Sequence, residues 1–238
     1  MAEDPRMYRF SMTNIVKKKL REKSYCVTRA ATLSEANKQK RFQKAKKLLA
    51  RTGEHLLTVF SVDCGGGVQS SKPSCYCPKH PASVMAFGAI YSNGKCPLVF
   101  VNKGVKINKE YYAEDILKNH LLPWAQNHIS GQHWIFQLDR AAAHTAMFTQ
   151  NWCERHLSEF IKKDGWHASS PDLNPLDFSN WGVLQSKVCA RSHSSVEALK
   201  KKLVEKWDKL SVEYLRATVD AYPRRLRAVI AAKGGRIE

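Results

Sequence analysis

The chain has 238 residues, room for one sizeable core plus an appendage, and its 43% hydrophobic and 25% charged content is that of a globular protein. Lysine and arginine total 39 against 21 aspartate and glutamate, a net charge of +18 that favours a polyanionic partner, nucleic acid first. No apolar run reaches membrane-spanning length and no signal-peptide pattern opens the chain, so a soluble intracellular protein is expected and a membrane partner is not.

Seven cysteines are scattered through a chain too long to need staples, and free thiols are the simplest expectation. Cys64, Cys75, Cys77 and His80 gather four soft ligands, but the paired spacing that structural zinc sites favour is missing. A disordered loop that contains thiols is expected there instead.

Residues 1–55 carry 15 Lys+Arg against 5 Asp+Glu, a net of +10, so more than half of the excess charge lies in under a quarter of the chain. Two helices fit this basic segment. SMTNIVKKKLREK (11–23) has an apolar stripe of Ile15, Val16 and Leu20, with Lys17, Lys18, Lys19 and Arg21 around it. LSEANKQKRFQKAKKLLAR (33–51) runs from Ser34 as cap to Gly53 as stop, with Lys38, Lys40, Arg41, Lys44 and Lys47 on its polar face. The plain alternative is a solvated helix face; the sharper reading is a surface that contacts DNA phosphates. The same run suits a nuclear import signal.

From Leu56 the pattern changes. LLTVFSV (56–62) predicts a buried strand, and DCGGGVQSSKPSCYCPKHP (63–81) a loop. SVMAFGAIY (83–91) and CPLVFV (96–101) flank Asn93-Gly94, a hairpin signal. A helix capped by Asn108 follows, reset at Pro123, then a strand HWIFQLD (133–139) and a helix over 145–161. Pro175 suits the first turn of a helix starting near Asn174, and two helices, 195–210 and 211–233, complete the pattern. That order predicts an α/β core with antiparallel first strands and a helical C-terminal side.

Asp139 closes a strand, where α/β proteins place ligands. Asp177 lies near a helix start, and Asp63 follows the first strand. Three carboxylates brought together repel unless a cation sits among them, and a hard divalent ion bound through oxygen answers that problem. Two such ions about 3.5–4 Å apart would clamp the attacking and leaving oxygens of a phosphodiester. The plain alternative is a strand-end turn residue at 139 and a turn or cap residue at Asp172.

The stretches HPASVMAFGAIYSNGKCPLVFV, NHLLPWAQNHISGQHWIFQLDRAAAH, SSPDLNPLDFSNWG and RRLRAVIAAKGGRIE together resemble the catalytic domain of mariner-type (Tc/mariner superfamily) DNA transposases over residues 80–238. The resemblance implies a ribonuclease H-like mixed sheet with flanking helices at 56–238, preceded by 1–55 as a basic remnant of a helix-turn-helix region and linker. It implies magnesium- or manganese-dependent DNA cleavage and strand transfer, double-stranded DNA as partner, a homodimer and a nuclear location. Asp139 matches the second carboxylate, in a motif that usually reads D-G-A-P-A-H, and Asp177 the third, with 37 residues between them. Asp63 stands for the first, Asp172 becomes structural, and His144 orients Asp139, contacts DNA or packs a helix start.

Three departures accompany the resemblance. The first carboxylate usually reads F-S-D, whereas here it is Phe60-Ser61-Val62-Asp63. One inserted residue turns Asp63 to the other face of the strand unless a bulge or an early strand end returns it. Arg140 and Ala142 replace the usual Gly and Pro, and a cation at 140 could pair with Asp139. The strand expected between Asp63 and the P-A-S-V-M segment is lost. The alternative to an active transposase is therefore a catalytically impaired or domesticated DNA-binding protein.

Overall fold

The computed structural model describes residues 33–52, 57–64, 84–167, 170–189 and 193–237, and of 52, 62–64 and 189 the backbone alone. The predicted helix at 11–23, with Lys17, Lys18, Lys19 and Arg21, and the cysteines of the 65–83 loop lie outside the described residues. In chain order the elements are helix α1 (Glu35–Thr52) and strands β1 (Leu57–Cys64), β2 (Met85–Tyr91), β3 (Gly94–Lys95) and β4 (Val99–Val101). A helical rod α2 follows, α-helical over Lys109–Tyr111, π-helical over Tyr112–Leu121 and α-helical again over Leu122–His128. Next come β5 (Trp134–Gln137), the short α3 (Ala142–Thr145), α4 (Met147–His156) and β6 (Glu159–Phe160). The helix α5 opens with a π-turn at Leu176–Asn180 and continues over Trp181–Cys189, before α6 (Val196–Asp208) and α7 (Val212–Ala231).

The strands form one mixed sheet in the order β3-β2-β1-β5-β6, with β4 also on the outer side of β2. β1 pairs antiparallel with β2 and parallel with β5, and β5 pairs parallel with β6. The predicted strands at 56–62 and 83–91 are therefore hydrogen-bonded neighbours in the sheet. The Asn-Gly signal correctly predicts a hairpin, but the turn is Ser92-Asn93 with Gly94 already paired to Tyr91, and of the strand expected over 96–101 only β4 forms, with β3 ahead of it. Asn108 caps the start of α2 by accepting the Tyr111 N–H at 2.8 Å. Pro123 does not end that rod. It falls just after the switch from π- to α-helix, where its missing N–H costs little.

The predicted helix over 145–161 ends earlier. Leu157 adopts an extended conformation, and Glu159 and Phe160 join the sheet as β6 against Ile135 and Phe136. Apolar periodicity through HLSEFI does not distinguish a helix turn from a short strand, and pairing with β5 decides the matter.

Alternation along the strands fills two cores. Val59, Phe87, Ala89 and Phe136 pack on one face against α2 and α4. Phe60, Ala86, Ile90 and Ile135 pack on the other against α1, α5 and α7. The inward stripe of α1 is Arg41, Ala45 and Leu48, all buried, so Arg41 is absent from the exposed basic face expected for it. Its guanidinium meets Asp172 at 2.5 Å. Gly234, at φ +85°, brings the chain after α7 so close to the carbonyl of Lys38 that a Cβ would lie 1.9 Å from that oxygen. Among the described residues no helix is long and apolar enough to cross a membrane. Cys96 and Cys153 are buried free thiols.

Candidate active site

Asp139 leaves the sheet two residues past the end of β5. Its Oδ1 accepts the N–H of Ala141 at 2.8 Å and faces Nδ1 of His144 at 2.6 Å. His144 is buried, and its ring lies 4.0 Å from that of Tyr112, centroid to centroid, at the first turn of the π-helical stretch. With a carboxylate as acceptor, Nδ1 carries the proton, so the tautomer and orientation of the imidazole are set by Asp139. Burial alone would raise the Asp139 acid. The hydrogen bond and charge of His144, with the Ala141 N–H, outweigh it and hold the carboxyl below its ordinary range. Of the roles expected for His144, its contacts fit both orientation of Asp139 and packing at a helix start.

Asp177 sits in the π-turn that opens α5. Asn174 holds this turn in place. It is buried, its Oδ1 accepts the Leu176 N–H at 3.1 Å, and its Nδ2 donates to the carbonyl of Ser61 at 3.0 Å. Ser61 in turn donates its Oγ–H to the carbonyl of Gln137 at 3.0 Å. One buried chain of hydrogen bonds thus ties β1, the end of β5 and the start of α5, each bond contributing on the order of 1 kcal/mol. These are the elements that carry positions 63, 139 and 177. Burial, and then the negative charge of Asp139, push the Asp177 acid up to about 7. Asp177 stays accessible to solvent, so an ion can reach the pair.

The third expected carboxylate is placed by its backbone. β1 pairs with β2 in unbroken register from Phe60 opposite Ile90, through Val62 opposite Gly88 and Asp63 opposite Phe87, to Cys64 opposite Ala86. Neither a bulge nor an early strand end intervenes. The parallel register sets Phe60 beside Gln137, so two residues further on it is position 62 that comes level with Asp139. The Asp63 side chain lies outside the described part of the structure.

Asp172, five residues before Asp177, is structural. Its Oδ2 takes Arg41 and the Ile237 N–H at 3.2 Å, and its carbonyl takes Arg225 Nε at 2.6 Å. The Arg225 guanidinium stacks 4.1 Å over the ring of Phe178, next to Asp177. Arg140 is exposed and acts electrostatically on Lys44 of α1; the partner of Asp139 is His144. Sequence reasoning missed Tyr112, Ser61 and Asn174 as supports of the site. Asn174, read only as a helix start, had a signal in its place before Pro175.

A mixed sheet with helices packed on both faces is the ribonuclease H-like fold, and solved structures share it. The chain superposes on a Mos1 transposase paired-end complex with TM-score 0.73 and 19% identity, covering 97% of this chain and 72% of that one. The catalytic domain of Mos1 mariner transposase gives TM-score 0.69 at 21% identity, covering 87% of this chain and 98% of that one. No family model matches the chain. It is 32% identical over 165 residues to the transposase of transposable element Tcb1 of Caenorhabditis briggsae, spanning 68% of this chain and 58% of that protein. For the Tc3 transposase of Caenorhabditis elegans the identity is 28% over 157 residues, 65% of this chain and 45% of that protein. The chain is homologous to the Tc/mariner transposases, and spans about half the length of the curated relatives it matches.

Proposed function

We propose that this chain carries the catalytic domain of a mariner-like transposase, which cuts double-stranded DNA and joins it to a target with divalent metal. The observation that carries the reading is the Asp139–Asp177 pair, in which burial first, and then the charge of Asp139, raise the Asp177 acid to about 7. Two carboxylates left to repel each other form a donor set that fits a hard cation. The Mos1 catalytic domain has been solved with Mn and with Mg, and Mos1 transposase with a transposon end. In this chain Asp139 and Asp177 would hold the metal, with Asp63 as third ligand. A bound divalent ion supplies Lewis-acid activation of the attacking oxygen and neutralises charge on the leaving one. His144 keeps Asp139 ionised and oriented, and Asn174 holds Asp177 against β1. The expected setting is a homodimer on DNA in the nucleus, with the basic run at 38–47 as import signal.

A second reading, an impaired or domesticated DNA-binding protein, is favoured by the unbroken register of β1, which brings Val62 rather than Asp63 level with Asp139. One assay separates the two: labelled duplex incubated with manganese. Nicking that Asp139→Ala abolishes, with DNA binding retained, supports the first. Salt-sensitive binding without nicking supports the second, and Val62→Asp should then create manganese-dependent cleavage. Cleavage that survives Asp139→Ala would place the active site elsewhere and overturn both.

A further inference from the structure

We propose that Arg140, Lys44, Lys40 and Lys47 form one phosphate-binding ridge that leads a DNA backbone along α1 to the Asp139–Asp177 pair. The inference rests on the DNA-binding reading above and names the surface that serves it.

The basic residues of α1 divide into committed and uncommitted charges. Arg41 is buried against Asp172, Lys38 pairs with Glu35 at 2.7 Å, Arg51 pairs with Glu159, and Lys46 stacks 4.4 Å over Phe42. Lys40 and Lys47 are exposed, and Lys44 lies between them, half-buried, its Nζ anchored to the carbonyl of Trp166 at 2.9 Å. Spacings of four and three residues put the three on one stripe of the helix.

The stripe runs toward the site. α1 lies along the sheet with Leu48 and Arg51 near Thr58 and Ile135, low on β1 and β5. Its earlier half meets Asp172, five residues before Asp177. Arg140, exposed and next in sequence to Asp139, acts on Lys44 together with Lys40 and Lys47. Burial first, and then these three cations, depress the Lys44 ammonium, and the exposed Asp164 opposes them. Around Lys44 the one opposing carboxylate is Asp164, so the ridge itself carries a surplus of positive charge. From Lys40 to Lys47 the helix rises about 10 Å, the length of duplex axis that holds about three phosphates of one B-form strand at about 3.4 Å of axis each. An exposed guanidinium beside the scissile position suits a bidentate phosphate contact. The contact belongs to this chain, because the related motif carries glycine at position 140.

The test is fluorescence anisotropy of the full chain on a random-sequence duplex of about 30 base pairs, without divalent metal, from about 50 to about 300 mM KCl. Arg140→Ala is expected to lower the slope of log K against log salt by about 0.9, which weakens binding about eightfold at about 0.1 M salt. Lys40→Ala with Lys47→Ala should lower it by about 1.8. Lys201→Ala, an equal loss of charge at an exposed position of α6, should leave the slope unchanged. The melting temperature of Arg140→Ala should match the natural chain, since the residue is exposed. If Arg140→Ala behaves as the natural chain does, or no differently from Lys201→Ala, the ridge is overturned while DNA binding stands. A natural chain without salt-dependent binding overturns the DNA reading itself.

Discussion

Replacing Asp172 by alanine leaves the Arg41 guanidinium inside the protein without its counter-charge. The side chains are 0% and 11% exposed, so water replaces little of what is lost. Removing one partner of a buried pair costs about 3–5 kcal/mol, because the remaining ion keeps its desolvation penalty. The Ile237 N–H also loses its acceptor, on the order of 1 kcal/mol more. At about 2–4 °C per kcal/mol for a body of this size, the ion-pair loss alone should lower the melting temperature by about 6–20 °C. Thermal melting followed by far-ultraviolet circular dichroism measures that shift, and urea denaturation measures the free-energy loss. The double variant Arg41→Leu with Asp172→Leu should recover most of the loss, since a well-packed apolar pair replaces a buried ion pair at little cost. A loss under about 1 kcal/mol for Asp172→Ala would refute the reasoning, for it would mean that Arg41 finds water or another anion. Within SSPDLNPLDF, then, two aspartates five residues apart should behave oppositely, one essential to folding and the other to chemistry.

Asp177→Asn should fold at least as well as the natural chain at pH 8 and lose the rise in melting temperature that manganese gives, read by scanning fluorimetry. The Asp177 acid is raised from 3.8 unfolded to about 7 folded, so its contribution to stability is full below pH 4 and lost as pH rises through 7. Melting curves from pH 4 to pH 8 should show that loss in the natural chain and not in Asp177→Asn. The Asp139 acid is lowered, so its contribution is present above the ordinary carboxylate range and lost on acidification. His144→Phe keeps a ring against Tyr112 but removes the N–H donor. Its manganese response should need a higher pH than that of the natural chain, and an unchanged pH profile would deny His144 its orienting role. Gly234→Ala places a Cβ against the Lys38 carbonyl at a positive φ, and should cost at least about 1–3 kcal/mol by urea titration.

Much of this fold was legible because its longer strands are largely apolar and its turns carry their own chemistry. Asn108, Asn93-Gly94 and Pro175 mark boundaries that the backbone honours. The failures share a cause: a local pattern was overruled by a distant partner. HLSEFI reads as the end of a helix until β5 offers it a place in the sheet. Arg41 reads as one of a row of surface cations until Asp172, 131 residues away, claims it. In the site, Asp139 and Asp177 were visible as the ends of motifs, and Asp172 as a turn residue. Ser61, Asn174 and Tyr112 were not, because a buried hydrogen bond between elements far apart in sequence leaves no periodicity to read. Arg140 was visible only as a threat to Asp139, since nothing in the sequence shows that α1 lies nearby.

The two π-helical stretches flank the carboxylate pair, Tyr112 supporting His144 from one and Asp177 standing in the other. A widened turn holds one residue more than an α-turn of the same reach, as though the chain had kept an insertion at each place. Shortening either by a single residue would leave a sound helix and rotate everything on one side of the cut. The Tyr112 ring would swing from the imidazole, or Asp177 from its neighbour, in a protein that still folds. Among natural variants of this sequence, length changes at these two places should therefore mark lineages that have given up chemistry, sooner than point changes in the core would.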